Sequence, residues 1–183
     1  MSRIKGFGMP KVMSAEQLLE QYSQGERNFE RSELNGANLS GVVLRGINLS
    51  RASLRKADLT GTDISEALLF QTDFSTAILN KAQLSQANLT GANLNRSFMT
   101  GAVLKKTILL RTTLCGAMLI RTSLLETRLR EADFSYANLS GADLSGAVVA
   151  LANFTGAKYS LSTIFAEDFD PIQAGMQLIH IPS

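Results

Sequence analysis

Cys115 and His180 are the two side chains with ready nucleophilic or metal-binding chemistry, and each is the only residue of its type. A cysteine activated by a histidine makes a thiolate nucleophile, and Cys/His clusters hold zinc. Neither arrangement is reachable here. The two residues stand far apart in sequence, and a single cysteine forms neither an intrachain disulfide nor a metal cluster with a single histidine. Cys115 directly follows an apolar residue, Leu114, and is expected to point outward as a bystander thiol. The other candidates are the acids and amides Asn38, Asp58, Asn88, Asp133, Asn138 and Asp143. Paired carboxylates can do general acid–base work. These residues recur at multiples of five positions, however, so a structural period places them. A stacked row of amides more commonly satisfies the backbone and its neighbours than a metal. The sequence has no phosphate-binding loop, no Ser-His-Asp spacing and no metal motif. The expectation is no enzyme, no cofactor and no metal.

The period is visible in ANLSGADLSGAV, residues 137–148, where five residues occur twice in succession. Steps of five from Phe29 to Ile164 meet 28 positions, of which 19 are Leu, 4 are Phe and 2 are Ile. The position two residues earlier is Ala 16 times, Thr six times and Ser three times. All ten glycines between residues 27 and 166 fall two residues after the centre. A period of five is wrong for a helix. At about 100° per residue, successive leucines would drift by ~140° and form no face. A short extended side followed by a corner fits. The small residue and the Leu, two apart, then point to one side, and the residue between them points out. Glycine supplies the positive φ that a tight corner requires. Turns of one hand, repeated, wind the chain into a solenoid with a core of Leu, Phe and Ala layers.

The A(D/N)LxG pattern over residues 27–166 resembles the pentapeptide-repeat family, which is abundant in cyanobacteria. The resemblance implies an all-β solenoid, a right-handed quadrilateral β-helix with four pentapeptides per coil. It implies about seven coils here, and a rod roughly 30–35 Å long at the usual strand spacing. Both ends read as caps, because open β-helix ends pair with other chains. Residues 1–13 form an N-terminal tail. Residues 14–25 form a capping helix, with Ser14 and Gln17 as a capping box and Ala15, Leu18, Leu19 and Tyr22 as its apolar stripe. Residues 167–183 form a C-terminal cap. In it, Asp170 before Pro171 reads as a helix start, and Met176, Leu178, Ile179 and Ile181 cover the last coil.

Function is expected where outward positions break the pattern. With four sides per coil, residues 20 apart stack, so Ile78, Phe98 and Met118 share one outward column. Val103, Ile108, Leu110, Ile120 and Leu125 are also outward and apolar, and Leu68 and Phe70 precede Ile108 and Leu110 on the same side. Exposed apolar clusters mark contact surfaces. Segment 96–130 has a net charge of +6, with Lys105, Lys106, Arg111 and Arg121 among its bases, whereas segment 131–183 carries −5. The expected function is a non-enzymatic structural or protein-interaction module that docks an unidentified protein on the band near 98–125. Self-association through the band and simple drift of the repeat are the other readings of it. Some members of the family protect DNA gyrase by mimicking DNA, which implies an acidic rod, and the basic middle disfavours that role here. Nucleic-acid binding through the band is also disfavoured, because Phe98 is its only aromatic residue.

Composition bounds the rest. The chain has 183 residues, is 45% hydrophobic and has a net charge of +2, which excludes a disordered acidic or basic chain. The start MSRIKGFGMPKV has no apolar run of signal-peptide length, and no stretch approaches the ~20 apolar residues of a membrane helix. No membrane partner and a cytoplasmic location are expected.

Overall fold

The computed structural model describes residues 14–179, so the expected tail 1–13, His180 and Ile181 lie outside the described residues. It begins with one helix, α1 (Ala15–Ser23). The Ser14 side chain caps it, its hydroxyl accepting from the Gln17 amide at 3.2 Å. Leu18 is fully buried, and Ala15, Leu19 and Tyr22 pack partly buried against the same core. Tyr22 also donates its hydroxyl to the Arg45 carbonyl at 2.9 Å, and the Arg27 guanidinium lies 3.8 Å over its ring.

From Asn28 onward the backbone repeats every five residues and pairs with itself every twenty. Parallel rungs join Asn28 to Asn48, Glu33 to Ser53, Asn38 to Asp58 and Val43 to Asp63, and the same +20 register continues to Asn138↔Lys158. Four columns of outward residues result. Side 1 runs from Asn28 to Val148, side 2 from Glu33 to Asn153, side 3 from Asn38 to Lys158, and side 4 from Val43 to Asp143. The centre of each repeat points inward, and residues such as Leu54, Leu79, Leu104 and Leu129 are completely buried. Burying one such side chain stabilises by about 1.5–3 kcal/mol. The small residue completes the layer. Where Thr replaces Ala it is buried too, and its hydroxyl donates to a centre carbonyl, of the coil before as from Thr107 to Leu84 at 2.9 Å and from Thr112 to Leu89 at 2.7 Å, or of the same coil as from Thr127 to Leu124 at 2.6 Å.

The corners explain the glycines. The third residue of each turn has positive φ at every corner from Arg31 to Gly156, ten times at Gly and sixteen times at a residue with a side chain. The amide of the following inward residue closes the turn onto the preceding centre, as from Ala52 to Leu49 at 3.0 Å. This is the type II pattern. Gly61 isolates the backbone cost, because a Cβ added there would meet nothing within 4 Å. Gly61→Val is therefore expected to destabilise by about 1–2 kcal/mol, the cost of a branched residue in the left-handed region. A urea midpoint unchanged from wild type would contradict it.

The five-residue phase does not run unbroken to Ile164, as the sequence suggested. Asp143 pairs with Ile164 rather than with Thr163. The corner after Tyr159 holds three residues, Ser160, Leu161 and Ser162, and Thr163 takes the inward place, donating to the Leu139 carbonyl at 3.0 Å. Ile164 therefore faces out, 54% exposed, and Phe165 takes the place of the centre. The helix expected from Asp170 is also absent. The Asp170 carboxylate accepts the amides of Ile172 and Gln173, but Gly175 adopts φ +75 and the chain leaves the turn as a strand. That strand, β2 (Gln177–Leu178), pairs in parallel with β1 (Lys158–Tyr159), prolonging side 3. Met176 is buried as expected, whereas Leu178 is exposed. Below the stacked rings of Phe134 and Phe154, 5.0 Å apart, Phe169 meets Phe154 edge-on and Phe165 links Phe169 to Tyr159.

Candidate interaction surface

Outward residues of the regular repeats are Asn or Asp for a backbone reason. Their side-chain oxygen accepts the amide two residues on, at the corner, as in Asn38–Ser40, Asn88–Thr90, Asp133–Ser135 and Asp143–Ser145, all at 2.9–3.0 Å. This satisfies a turn amide that the ladder leaves over. The Thr60 hydroxyl and amide, both donating to Asp58, hold its carboxylate below the usual value of 3.8. At Asp63 partial burial pushes upward, but the hydroxyl and amide of Ser65 and the charge of Arg45 outweigh it and lower the value. The sign follows. The unfolded chain takes up protons first as pH falls, so this stabilisation is complete above about pH 5 and is lost as pH drops through the lowered folded-state values. Thermal midpoints are expected to fall below pH 4, and to fall less in Asp58→Asn, which keeps the acceptor without the charge. Equal pH dependence in both proteins would contradict this role.

At Ile78, Phe98 and Met118 an apolar residue replaces the amide or acid. The rungs Ile78↔Phe98 and Phe98↔Met118 place the three in direct succession on side 3, as expected. Phe98 is 47% exposed, while Ile78 and Met118 are half-buried. The corner amide of Thr100 finds another acceptor, Asn80 Oδ1 of the preceding coil, at 2.9 Å. Ile120 and Arg121 form the corner between sides 3 and 4, and Arg96 stands on the corner between sides 2 and 3.

The remaining expected residues are not brought to this face. Val103 lies on side 4; Lys105, Lys106 and Leu125 on the corner between sides 4 and 1; Ile108 on side 1; Leu110 and Arg111 on the corner between sides 1 and 2. Sides 1 and 3 are opposite, so Ile108 and Phe98 cannot meet one flat partner. The expected band is a belt around three sides. Its cations are also less available than the linear count suggests. Lys105 and Lys106 share Glu126 at 3.8 and 3.4 Å, and Arg111 and Arg130 share Glu131 at 2.8 and 3.3 Å. Arg111, Arg130 and Glu131, with Thr90 and Leu110, line a shallow cavity of about 360 Å³, where both guanidinium groups are already engaged by that one carboxylate. Arg96 and Arg121, beside Phe98, have no acidic partner among the described residues.

Among the described residues no three His, Cys, Asp or Glu side chains are placed to hold a metal, and no helix is long and apolar enough to cross a membrane. Cys115 is half-buried, its amide donating to Asn95 Oδ1 at 2.8 Å.

The pentapeptide-repeat family model matches in eight copies, over residues 32–71, 67–105, 99–135 and 132–158. The chain belongs to the pentapeptide-repeat family. Pentapeptide-repeat proteins fold as right-handed quadrilateral β-helices, in agreement with the +20 ladder. Two solved structures are similar. HetL from the cyanobacterium Nostoc sp. strain PCC 7120, a protein involved in heterocyst differentiation regulation, is 26% identical with a TM-score of 0.53; the match covers 90% of this chain and 92% of HetL. A trypsin-treated form of QnrB1, a plasmid-mediated fluoroquinolone resistance protein, is 20% identical with a TM-score of 0.71, covering 83% of this chain and 79% of that one. At that identity QnrB1 shows the fold alone. No curated protein matches.

The largest apolar exposure on this pentapeptide-repeat rod was missed by reading the sequence. It lies towards the C-terminal end: Leu151 is 74% exposed, Leu161 84% and Ile172 76%. Leu151 occupies a positive-φ corner that glycine, polar residues and, once, Tyr136 otherwise fill. That break in the corner pattern was the available signal.

Proposed function

We propose that this protein is a non-enzymatic structural and protein-interaction module that docks a protein partner on the Phe98 side of the rod. The observation that carries this is the replacement of three successive amide or acid positions by Ile78, Phe98 and Met118, beside Arg96 and Arg121. An apolar strip flanked by unpaired cations is the composition of a contact surface, with an anchor at its centre and charges at its rim. In this reading the rod has seven coils, is closed by α1 and by the segment after Tyr159, and works in the cytoplasm. Pentapeptide-repeat proteins are in general structural or interaction modules, and this chain's structural relative HetL is involved in heterocyst differentiation regulation. A gyrase-directed DNA mimic needs an acidic surface, which the Phe98 side does not offer.

The test is affinity capture from an extract of the source cells, comparing wild type with Phe98→Ser/Ile120→Ser. Selective loss of a captured protein supports the reading, and an unchanged set of captured proteins overturns it.

A further inference from the structure

The geometry points to a second copy of this chain as an occupant of the Phe98 side, docked through residues 160–179; this deepens the docking reading above and rests on it. The two surfaces are complementary in charge. Along Ile78, Phe98 and Met118, and on the corners to either side of them, there are three cations, Lys81, Arg96 and Arg121, and no acid. Residues 160–179 contain three acids, Glu167, Asp168 and Asp170, and no base. They are also complementary in apolar character. Glu167 and Asp168 form an exposed turn between Ile164 and Ile172, which are 54% and 76% exposed. Two apolar side chains flanking two acids match an apolar strip flanked by cations.

The same charges select the mode of pairing. A symmetric contact of one Phe98 side with another would set Arg96 and Arg121 against the partner's identical cations, and like charges across an interface oppose association. An end-to-side contact joins unlike surfaces instead. It is heterologous, and a heterologous contact leaves one free surface of each kind on every pair, so assembly continues beyond the dimer.

Charge exchange tests this in the full-length protein. One variant carries Arg96→Glu/Arg121→Glu, the other Glu167→Lys/Asp168→Lys. Both fit the backbone, because Glu66, Glu126 and Glu131 hold the positive-φ corner conformation of Arg96 and Arg121, and Lys56, Lys81 and Lys106 hold that of Asp168. Circular dichroism melts establish that each is folded. By sedimentation at low salt, the wild-type weight-average mass is expected to rise with concentration past that of a dimer. Each variant alone carries like charges on both surfaces and is expected to remain monomeric. Their equimolar mixture restores opposite charges at both contacts and is expected to associate again. A wild type that stays monomeric or stops at a dimer, a variant that associates as wild type does, or a mixture that stays monomeric with both variants folded would each overturn the proposal. A monomeric wild type whose Phe98→Ser/Ile120→Ser variant still loses a captured protein would remove the second copy and leave the docking side standing.

Discussion

Leu104→Asp is expected to break the rod in two. Leu104 is fully buried at the centre of a repeat in the middle of the solenoid, and the centres one coil away on either side, Leu84 and Leu124, are equally buried. Its nearest inward neighbour in sequence, Ala102, is buried and apolar as well. A carboxylate placed there finds no cation, and an unpaired buried charge costs several kcal/mol or forces protonation. The milder Leu104→Ala removes burial and leaves a cavity, which costs about 2–5 kcal/mol. In a solenoid each coil rests only on its neighbours, so damage in one layer uncouples the layers on either side. Leu104→Asp should therefore give two unfolding transitions, or no folded protein, where wild type gives one. Backbone amides near residue 104 should exchange hydrogen faster than those near Leu54 or Leu139. A single cooperative transition at the wild-type urea midpoint would contradict the layered core.

The second large effect is on binding. Phe98 is the most exposed of the three apolar residues in its column, and Ile120 lies on the adjacent corner, so their substitution removes apolar contact without opening the core. Each anchor that becomes fully buried against a partner contributes about 1.5–3 kcal/mol, or roughly 10- to 100-fold in affinity. Phe98→Ser with Ile120→Ser should thus weaken a purified partner by about 100-fold or more, while the melting transition stays close to wild type. Ile108→Ser, on the opposite side, should leave that affinity unchanged. Equal losses from both substitutions would mean that the contact is not on the Phe98 side.

Much of the fold is legible in the sequence because one residue type answers one local demand. Leu fills the inward centre, Asn or Asp satisfies a corner amide, and Gly relieves a positive φ. The break after Tyr159 is not legible, because Ile164 and Phe165 are adjacent and both apolar, and either could point inward. Only the pairing of Asp143 with Ile164 decides between them. Asp170-Pro171 has the composition of a helix start, yet pairing of β2 with β1 outweighs that local preference. For the surface, sequence places Ile78, Phe98 and Met118 in one column, because stacking depends on the period alone. It does not reveal that Ile78 and Met118 are half-buried by their own neighbours, nor that Glu126 and Glu131 neutralise much of the basic belt. Both depend on side-chain reach between coils.

The most direct test of a docking rod is the paired capture experiment, with wild type and Phe98→Ser/Ile120→Ser at equal density on the resin and bound proteins quantified by mass spectrometry. The expected result is at least one protein retained by wild type and depleted about 100-fold or more from the variant, the loss given by the affinities of two buried anchors. Identical capture by both, with both folded, would contradict the assignment of function to this side of the rod.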